Sequence, residues 1–269
     1  MKKSLRDNLD YLKNNLQRMC SVAVAFSGGV DSTFLLKIAH EVLGDNVVAF
    51  TAVSSIFSQR ELEESKLFTE SIGVKHKFIN YDETDIDNFS KNSTDRCYYC
   101  KKELFLRIKQ IADKKKLNYI VDGSNVDDAD DYRPGFKALK ELGITSPLKD
   151  AGLTKQEIRI LSKKMNLKTW DKPAFACLAS RFPYGIEITK ERLNMVEKAE
   201  KFIQDYDAKQ FRVRHHNEIA RIEVSKNDFQ KIIDKSDEIV KKFKEIGYNY
   251  VTLDIEGYRS GSLNEVLKK

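Results

Sequence analysis

Residues 22–32 read Val22-Ala-Val-Ala-Phe-Ser-Gly-Gly-Val-Asp-Ser32, an apolar run that breaks into two glycines and then enters a helical pattern lasting to Leu43. A short apolar strand followed by glycines and a helix brings free helix N–H groups, and the positive end of the helix dipole, toward an anion. Ser27, Ser32 and Thr33 add hydroxyls, and Asp31 is a carboxylate suited to a magnesium ion bridging phosphate oxygens. The spacing Gly-x-x-x-x-Gly-Lys of a Walker loop is absent. A second reading of the same residues is a plain strand-to-helix turn, capped by Ser27, with Asp31 complementing the dipole.

Outward from this turn, strands and helices alternate. A polar N-terminal helix precedes it. After it come the run Val47–Val53, a helix from Gln59 to Ile72, the run His76–Asn80, a helix from Cys97 to Lys116 and the run Tyr119–Asp122. Short apolar strands separated by helices predict βαβ units and a doubly wound parallel sheet. The stretch Lys172–Gly185 is rich in Pro, Gly and small residues and reads as a connector or active-site loop. The pattern then becomes αββαβ: a helix Thr189–Tyr206, an antiparallel pair Gln210–His216 and Ile219–Ser225, a helix Asn227–Ile246 and a strand Tyr250–Ile255, which suits a small α+β domain. The expected division is residues 1–180 and 181–269.

The 269 residues, 41% hydrophobic and 33% charged, supply a globular core rather than a disordered chain. No apolar run reaches membrane-spanning length and the N-terminus lacks a signal-peptide pattern, so the expectation is a cytoplasmic protein without a membrane partner. The formal charge of +6 is spread along the chain, and a diffuse excess does not predict a nucleic-acid surface.

Four cysteines in a chain of this kind point away from a disulfide framework, and Cys97-Tyr-Tyr-Cys100 points to metal, cluster or redox chemistry. Three residues apart at a helix start, both sulfurs share one face. Cys177 lies in the small-residue loop beside Arg181, which favours a functional role over the other reading of a lone cysteine, a small buried hydrophobe. Cys20 is expected in the core. The acidic stretch after Asp122 follows a parallel strand, the edge where open sheets bind ligands, so Asp122, Gly123 and Asn125 are expected beside the nucleotide. Asp128, Asp130 and Asp131 read equally as a solvated turn.

Ser27-Gly-Gly-Val-Asp-Ser32 resembles the PP-loop of the N-type ATP pyrophosphatases, which cleave ATP between the α and β phosphates and adenylate an oxygen of the acceptor. Further stretches narrow the resemblance: Arg96-Cys-Tyr-Tyr-Cys-Lys-Lys102, Asp122-Gly-Ser-Asn125 running on to Asp131-Tyr-Arg-Pro-Gly135, Phe175-Ala-Cys-Leu-Ala-Ser-Arg181 and Gly257-Tyr-Arg-Ser-Gly-Ser-Leu-Asn264. Together, across nearly the whole chain, they look like the ATP-dependent sulfur transferases that mature the nickel-pincer cofactor of lactate racemase. The resemblance implies a PP-loop fold (adenine nucleotide alpha hydrolase-like), ATP and Mg2+, and conversion of a pyridinium-3,5-dicarboxylate mononucleotide to its bis-thiocarboxylate. A symmetric homo-oligomer is carried over with it.

In that resemblance Cys177 matches the cysteine that some members sacrifice for its sulfur. Cys97 and Cys100 depart from the single-cysteine pattern and match the branch in which three cysteines hold a 4Fe-4S cluster, with sulfide or another donor supplying sulfur. Fe–S clusters normally take four cysteines, so three leave one iron open. Zinc with three protein ligands, or a redox pair of Cys97 and Cys100, are the other readings. Cys177 and Asp31 are the expected catalytic residues. Ser27, Gly28, Gly29, Asp31, Ser32, Gly123 and Asn125 are the nucleotide set. Arg181, Arg212, Arg214 and Arg259 are the substrate set, since guanidinium groups suit bidentate phosphate contacts. Arg212, Arg214 and His216 alternate along a strand, and a solvent-facing surface gives the same pattern.

Three competing functions remain: a tRNA thiolation enzyme with the same adenylation chemistry, a synthetase transferring ammonia, and a non-enzymatic nucleotide-sensing or iron–sulfur scaffold. The absence of an evident RNA-binding extension weighs against the first, the motif cysteines against the second, and the intact Ser27, Asp31 and Ser32 against the third.

Overall fold

The computed structural model describes residues 4–54, 56, 59–130, 134–172, 177–206, 208, 210–259 and 261–267. The 131–133 part of the acidic loop and the 173–176 part of the connector therefore lie outside the described residues. In chain order the elements are α1 (Leu5–Met19), β1 (Val22–Ala25), α2 (Val30–Leu43), β2 (Val47–Val53), α3 (Gln59–Ile72), β3 (Lys75–Asn80), α4 (Asp87–Ser90), α5 (Arg96–Lys114), β4 (Tyr119–Val121), α6 (Gly135–Glu141), α7 (Pro147–Asp150), α8 (Lys155–Lys164), α9 (Lys190–Gln204), β5 (Phe211–His216), β6 (Ile219–Val224), α10 (Phe229–Asp234), α11 (Ser236–Ile246) and β7 (Tyr250–Leu253).

The chain divides into two compact units, Met1–Tyr81 with Cys97–Phe175, and Asp82–Arg96 with Ala176–Lys269. The segment Asp82–Arg96 thus groups with the C-terminal part, a grouping that a single boundary near residue 180 does not contain. Asn92 holds it there. Its side-chain amide donates to the carbonyls of Pro183 at 2.7 Å and Ile186 at 3.0 Å, and its oxygen accepts from Arg96 at 2.6 Å.

In the first unit the sheet order is β3-β2-β1-β4, with every pair parallel. Its burial follows the expected apolar runs: Val22, Ala23, Val24 and Ala49 are fully buried, and Val22, Val24 and Ala49 pack with Leu12 and Leu16 of α1 and Phe34, Leu35 and Ile38 of α2. The chain moves outward from β1 to β2 and β3, then returns to place β4 on the other side of β1. With right-handed crossovers this reversal covers both faces with helices and opens a crevice between the carboxyl ends of β1 and β4.

Between β4 and the connector the sequence reading contains no helices, and among the described residues the structure has α6, α7 and α8. The last, α8, begins with a capping box: Thr154 accepts from the Glu157 amide at 3.2 Å, and Glu157 accepts from the Thr154 amide at 2.9 Å. Thr154-x-x-Glu157 before an apolar run was a readable signal for it. Ile158 and Leu161 of α8 join the core.

The second unit has a three-stranded sheet in the order β5-β6-β7, β5 and β6 antiparallel, β6 and β7 parallel. Helices α9 and α11 contribute Ala199, Ile203, Ile239 and Phe243 to its core. The helix expected over Asn227–Ile246 is broken at Lys235 into α10 and α11, after a 3-10 turn at Lys226–Asp228. Ser225 donates to Asp228 at 2.7 Å in that turn, a local side-chain bond that competes with a continuous helix.

Candidate active site

The turn after β1 is anchored before it reaches its glycines. Phe26 donates its amide to the Phe50 carbonyl at 2.8 Å, and its carbonyl accepts from the Thr51 hydroxyl at 2.7 Å. Thr51 in turn meets Nε2 of His76, whose Nδ1 meets Thr69. Burial holds His76 down at about 4, so the ring is neutral in this network near pH 7.

Gly28 then takes φ +68°, the left-handed region that suits glycine. A Cβ there would lie 3.5 Å from that of Ser65 on α3. Gly29 is the N-cap of α2 and makes no side-chain cap bond. The reading in which Ser27 merely caps the helix is therefore overturned: Ser27 instead faces Ser32, hydroxyl to hydroxyl at 3.1 Å, with its amide donating to Ser32 Oγ at 3.3 Å. The first amides of α2 stay directed outward, the geometry that receives a phosphate.

The loop after β4 closes against this helix start. A Cβ on Gly123 would lie 3.0 Å from the Ser32 nitrogen and 3.2 Å from its Cα, so any side chain there would have to push the helix start back by a few tenths of an ångström. Asp122, buried beside it, accepts from Ser124 at 2.5 Å and Ser146 at 2.6 Å. Asn125 is also buried; its amide donates to Asp128 at 3.0 Å and its side-chain oxygen accepts from the Asp127 amide at 2.9 Å. Asp128 is thus a turn former. The strand expected to reach Asp122 ends at Val121, and a single parallel bridge to Thr145 extends the sheet edge.

Asp31 sits in the first turn of α2. One carboxylate oxygen pairs with Lys155 Nζ at 2.5 Å; the other, Oδ1, is buried and has no hydrogen-bond partner among the described residues. Burial raises its pKa above the ordinary value, opposed by the Lys155 ammonium. A second lysine, Lys172, reaches the turn from the other side, donating to Glu64 at 2.8 Å and to the Gly28 carbonyl at 3.3 Å. Neither lysine was singled out by the sequence reading, because they come from elements far along the chain. Magnesium fits this group: it is commonly held by one or two carboxylates plus substrate phosphates, and Asp31 Oδ1 is a buried carboxylate oxygen without a partner.

Cys97 and Cys100 lie in the first five residues of α5, Cys97 exposed and Cys100 half-buried, with Cys100 Sγ 3.7 Å from the Tyr81 hydroxyl. Cys177, in the second unit, precedes a 3-10 turn over Leu178–Arg181 and is half-buried. Their sulfurs are soft donors of the type a cluster or zinc takes. Among the described residues, no three or more His, Cys, Asp and Glu side chains gather to hold a metal ion. Cys20 corrects an expectation: it is exposed, with φ +63°, because it ends α1 as its C-cap instead of entering β1.

In the second unit Arg181 is 2% exposed. It meets both oxygens of Glu200 at 2.8 Å and also donates to the Cys177 carbonyl at 3.1 Å. Arg214 makes the same fork with Glu223 at 3.0 and 2.8 Å, and donates to the Ser180 carbonyl and Ser262 hydroxyl. Arg212 donates to the Phe211 carbonyl and lies 5.3 Å over the Tyr258 ring, its pKa lowered first by burial and then by Arg181. Arg212 and Arg214 are 9% and 7% exposed, which removes the reading of this strand as a solvent face. Arg259 is more exposed and pairs with Glu256 and Glu265.

The NAD synthase family matches residues 4–126, the stretch that carries the glycine turn, the Cys97–Cys100 pair and the Gly123–Asn125 loop. Fold and turn together define an ATP-using PP-loop enzyme. The chain is 38% identical over 256 residues to the pyridinium-3,5-bisthiocarboxylic acid mononucleotide synthase of Lactiplantibacillus plantarum, covering 95% of this chain and 92% of that protein. It is 42% identical over 267 residues to an uncharacterised protein of Synechocystis sp., covering 98% and 100%. The tRNA-specific 2-thiouridylase of Rickettsia peacockii shares 29% over 195 residues, 58% and 53% of the two chains. The chain belongs to the pyridinium-3,5-bisthiocarboxylic acid mononucleotide synthase family of ATP-dependent sulfur transferases. Among the described residues no helix is long and apolar enough to cross a membrane.

Proposed function

We propose that this protein adenylates the carboxylates of pyridinium-3,5-biscarboxylic acid mononucleotide and exchanges the activated oxygen for sulfur, giving the thiocarboxylates of the nickel-pincer cofactor. The observation that supports it most is the Ser27–Asp31 turn closed by Gly123, in a chain similar over almost its whole length to a synthase of that product. Ser27, Gly28, Gly29 and Ser32 cradle the phosphates through helix amides and hydroxyls, and Gly123 and Asn125 flank the nucleotide. A substrate carboxylate oxygen attacks the α phosphorus; the bond to the β-phosphate bridging oxygen breaks and pyrophosphate leaves. Asp31 would hold Mg2+, which would offset the charge developing on the leaving group. The sulfur nucleophile then adds to the acyl carbon and AMP departs with the former carboxylate oxygen.

Cys97, Cys100 and Cys177 would hold a 4Fe-4S cluster, which supplies a site for the sulfur to be transferred from sulfide or another donor. Arg181 fixes the Cys177 carbonyl as well as sharing, with Arg212, Arg214 and Arg259, the binding of the substrate phosphate. The second unit is the substrate-binding and oligomerisation domain of a cytoplasmic homo-oligomer.

Anaerobically reconstituted protein is incubated with ATP, magnesium, sulfide and the dicarboxylate nucleotide, and the products are read by mass spectrometry. Oxygen-for-sulfur exchange on the nucleotide is expected. Thiolation of tRNA with the nucleotide untouched would overturn the reading in favour of the tRNA alternative, which the shorter and weaker likeness to the thiouridylase does not favour. Iron content and transfer should fall together in Cys97→Ala, Cys100→Ala and Cys177→Ala but not in Cys20→Ala; stoichiometric zinc without iron would overturn the cluster.

A further inference from the structure

We infer, resting on the functional reading of the acceptor as a dicarboxylate nucleotide, that Arg96 is a further substrate-binding residue whose Nε–Nη2 edge takes the second carboxylate while the first is activated. Arg96 is 3% exposed. Among the described residues no carboxylate pairs with it, and its buried Nε has no hydrogen-bond partner. A buried charge is ordinarily paired, because leaving it unanswered in low dielectric is costly. The missing counter-charge is therefore expected from outside the chain.

Two other arginines of the second unit show what belongs on the vacant edge. Arg181 and Arg214 each hold a carboxylate with Nε and Nη2, that of Glu200 and that of Glu223. Arg96 uses the remaining nitrogen instead: Nη1 donates to the Asn92 oxygen at 2.6 Å, and the Nε–Nη2 edge is left over. The rest of the group is fixed in place. Its guanidinium carbon lies 4.9 Å from the centre of the Tyr184 ring, whose hydroxyl donates to Asn264 at 2.9 Å. Asn92 is tied in turn to the carbonyls of Pro183 and Ile186. A guanidinium laid on a ring and pinned at one nitrogen keeps its other edge set for a planar anion that accepts two parallel bonds, and a carboxylate has that shape. Arg96 also opens α5, a helix of 19 residues with no acidic side chain in its first turn, so the positive end of the helix dipole adds to the guanidinium charge. It is the last residue of the second unit before the chain enters the first at Cys97. A carboxylate held here is one residue along the chain from the cysteine pair to which the functional reading gives the sulfur. In the second round of exchange the idle group is a thiocarboxylate, an anion of the same charge, and the same edge serves it.

Affinities of the full chain are measured by calorimetry for the pyridinium-3,5-dicarboxylate mononucleotide and for its pyridinium-3-carboxylate analogue, in wild type, Arg96→Gln and Arg96→Lys. Wild type is expected to bind the dicarboxylate about tenfold or more tightly than the monocarboxylate, the gain from a charge-assisted fork. Arg96→Gln should bring the two within about threefold by weakening the dicarboxylate alone. Arg96→Lys keeps the charge without the fork and should lose most of the preference. ATP affinity, unchanged in both variants, reports an intact fold. Equal loss for both nucleotides would make Arg96 a structural residue or a phosphate contact, and an undiminished preference in either variant would remove it from the carboxylate; each result overturns the inference. So does a wild type that binds the two nucleotides equally, an outcome that needs no variant. A wild type that bound neither nucleotide would instead sink the functional reading.

Discussion

In the first unit a buried carboxylate, Asp31, keeps one oxygen without a hydrogen-bond partner among the described residues, whereas in the second unit the buried guanidinium groups of Arg181 and Arg214 each fork onto a carboxylate. Buried polar groups are nearly always satisfied, so an exception beside open helix amides marks a place built for something absent from the chain. A satisfied fork marks a place that holds the chain together first. The two regions carry the same kind of residue, a charge in low dielectric, and differ in whether the protein supplies the counter-charge. Ligand binding belongs to the first kind; for the arginines it is added to a structural duty.

The widest gap between the regions should appear in activity. Asp31→Ala is expected to lower pyrophosphate release by about a thousandfold or more while leaving the melting temperature near that of wild type, since the residue sits at a helix start rather than in the apolar core. A variant that retained release would place Asp31 outside the reaction. Arg214→Ala should show its largest effect on stability, beside any loss of substrate binding. It leaves Glu223, 1% exposed, with only the more exposed Arg221 on one of its oxygens, and losing one partner of a buried pair costs up to about 3–5 kcal/mol, readable as a lower denaturation midpoint. Arg259→Ala removes only exposed pairs, so its folding should be intact and its effect confined to a higher KM for the substrate. If Arg214→Ala unfolded no more easily than Arg259→Ala, the contrast drawn between the regions would fail.

Much of the first region was legible. Alternating apolar runs gave β1 to β4 and the glycine turn between β1 and α2, because a parallel strand buried on both faces leaves a continuous apolar signature. Gly123 was readable as part of a ligand loop. Lys155, Lys172 and Glu64 were not, since their meeting at the turn depends on how α8 and α3 pack, and nothing local to those residues encodes it. In the second region Arg212 and Arg214 were legible as sharing a face, but alternation alone does not say whether that face is wet. Glu223, the carboxylate that pairs with Arg214, lies on the neighbouring strand, in register with Arg212. Cys20 was misplaced because an apolar run beside it suggested a strand, while the helix end claims the residue.

A smaller effect concerns the anchoring of the turn. His76 sits at about 4 against an ordinary 6.5. A histidine with a depressed folded value takes up its proton more readily unfolded, so its contribution to stability is full above pH 6.5 and is lost as pH falls toward 4. After screening, this amounts to on the order of 1 kcal/mol. Denaturation of wild type should therefore weaken over that window, and His76→Gln should flatten that part of the profile. An unaltered slope would mean that the network from His76 through Thr51 to Phe26 carries no titrating load.

The central claim is that a substrate carboxylate oxygen displaces pyrophosphate from ATP at the α phosphorus. It is tested most directly with the dicarboxylate nucleotide labelled with oxygen-18 in its carboxyl groups, incubated with the protein, ATP, magnesium and a sulfur donor. The account predicts that the AMP released carries one labelled oxygen on its phosphate and that the pyrophosphate carries none. Unlabelled AMP accompanying thiolated product, or label appearing in pyrophosphate or inorganic phosphate, would contradict it.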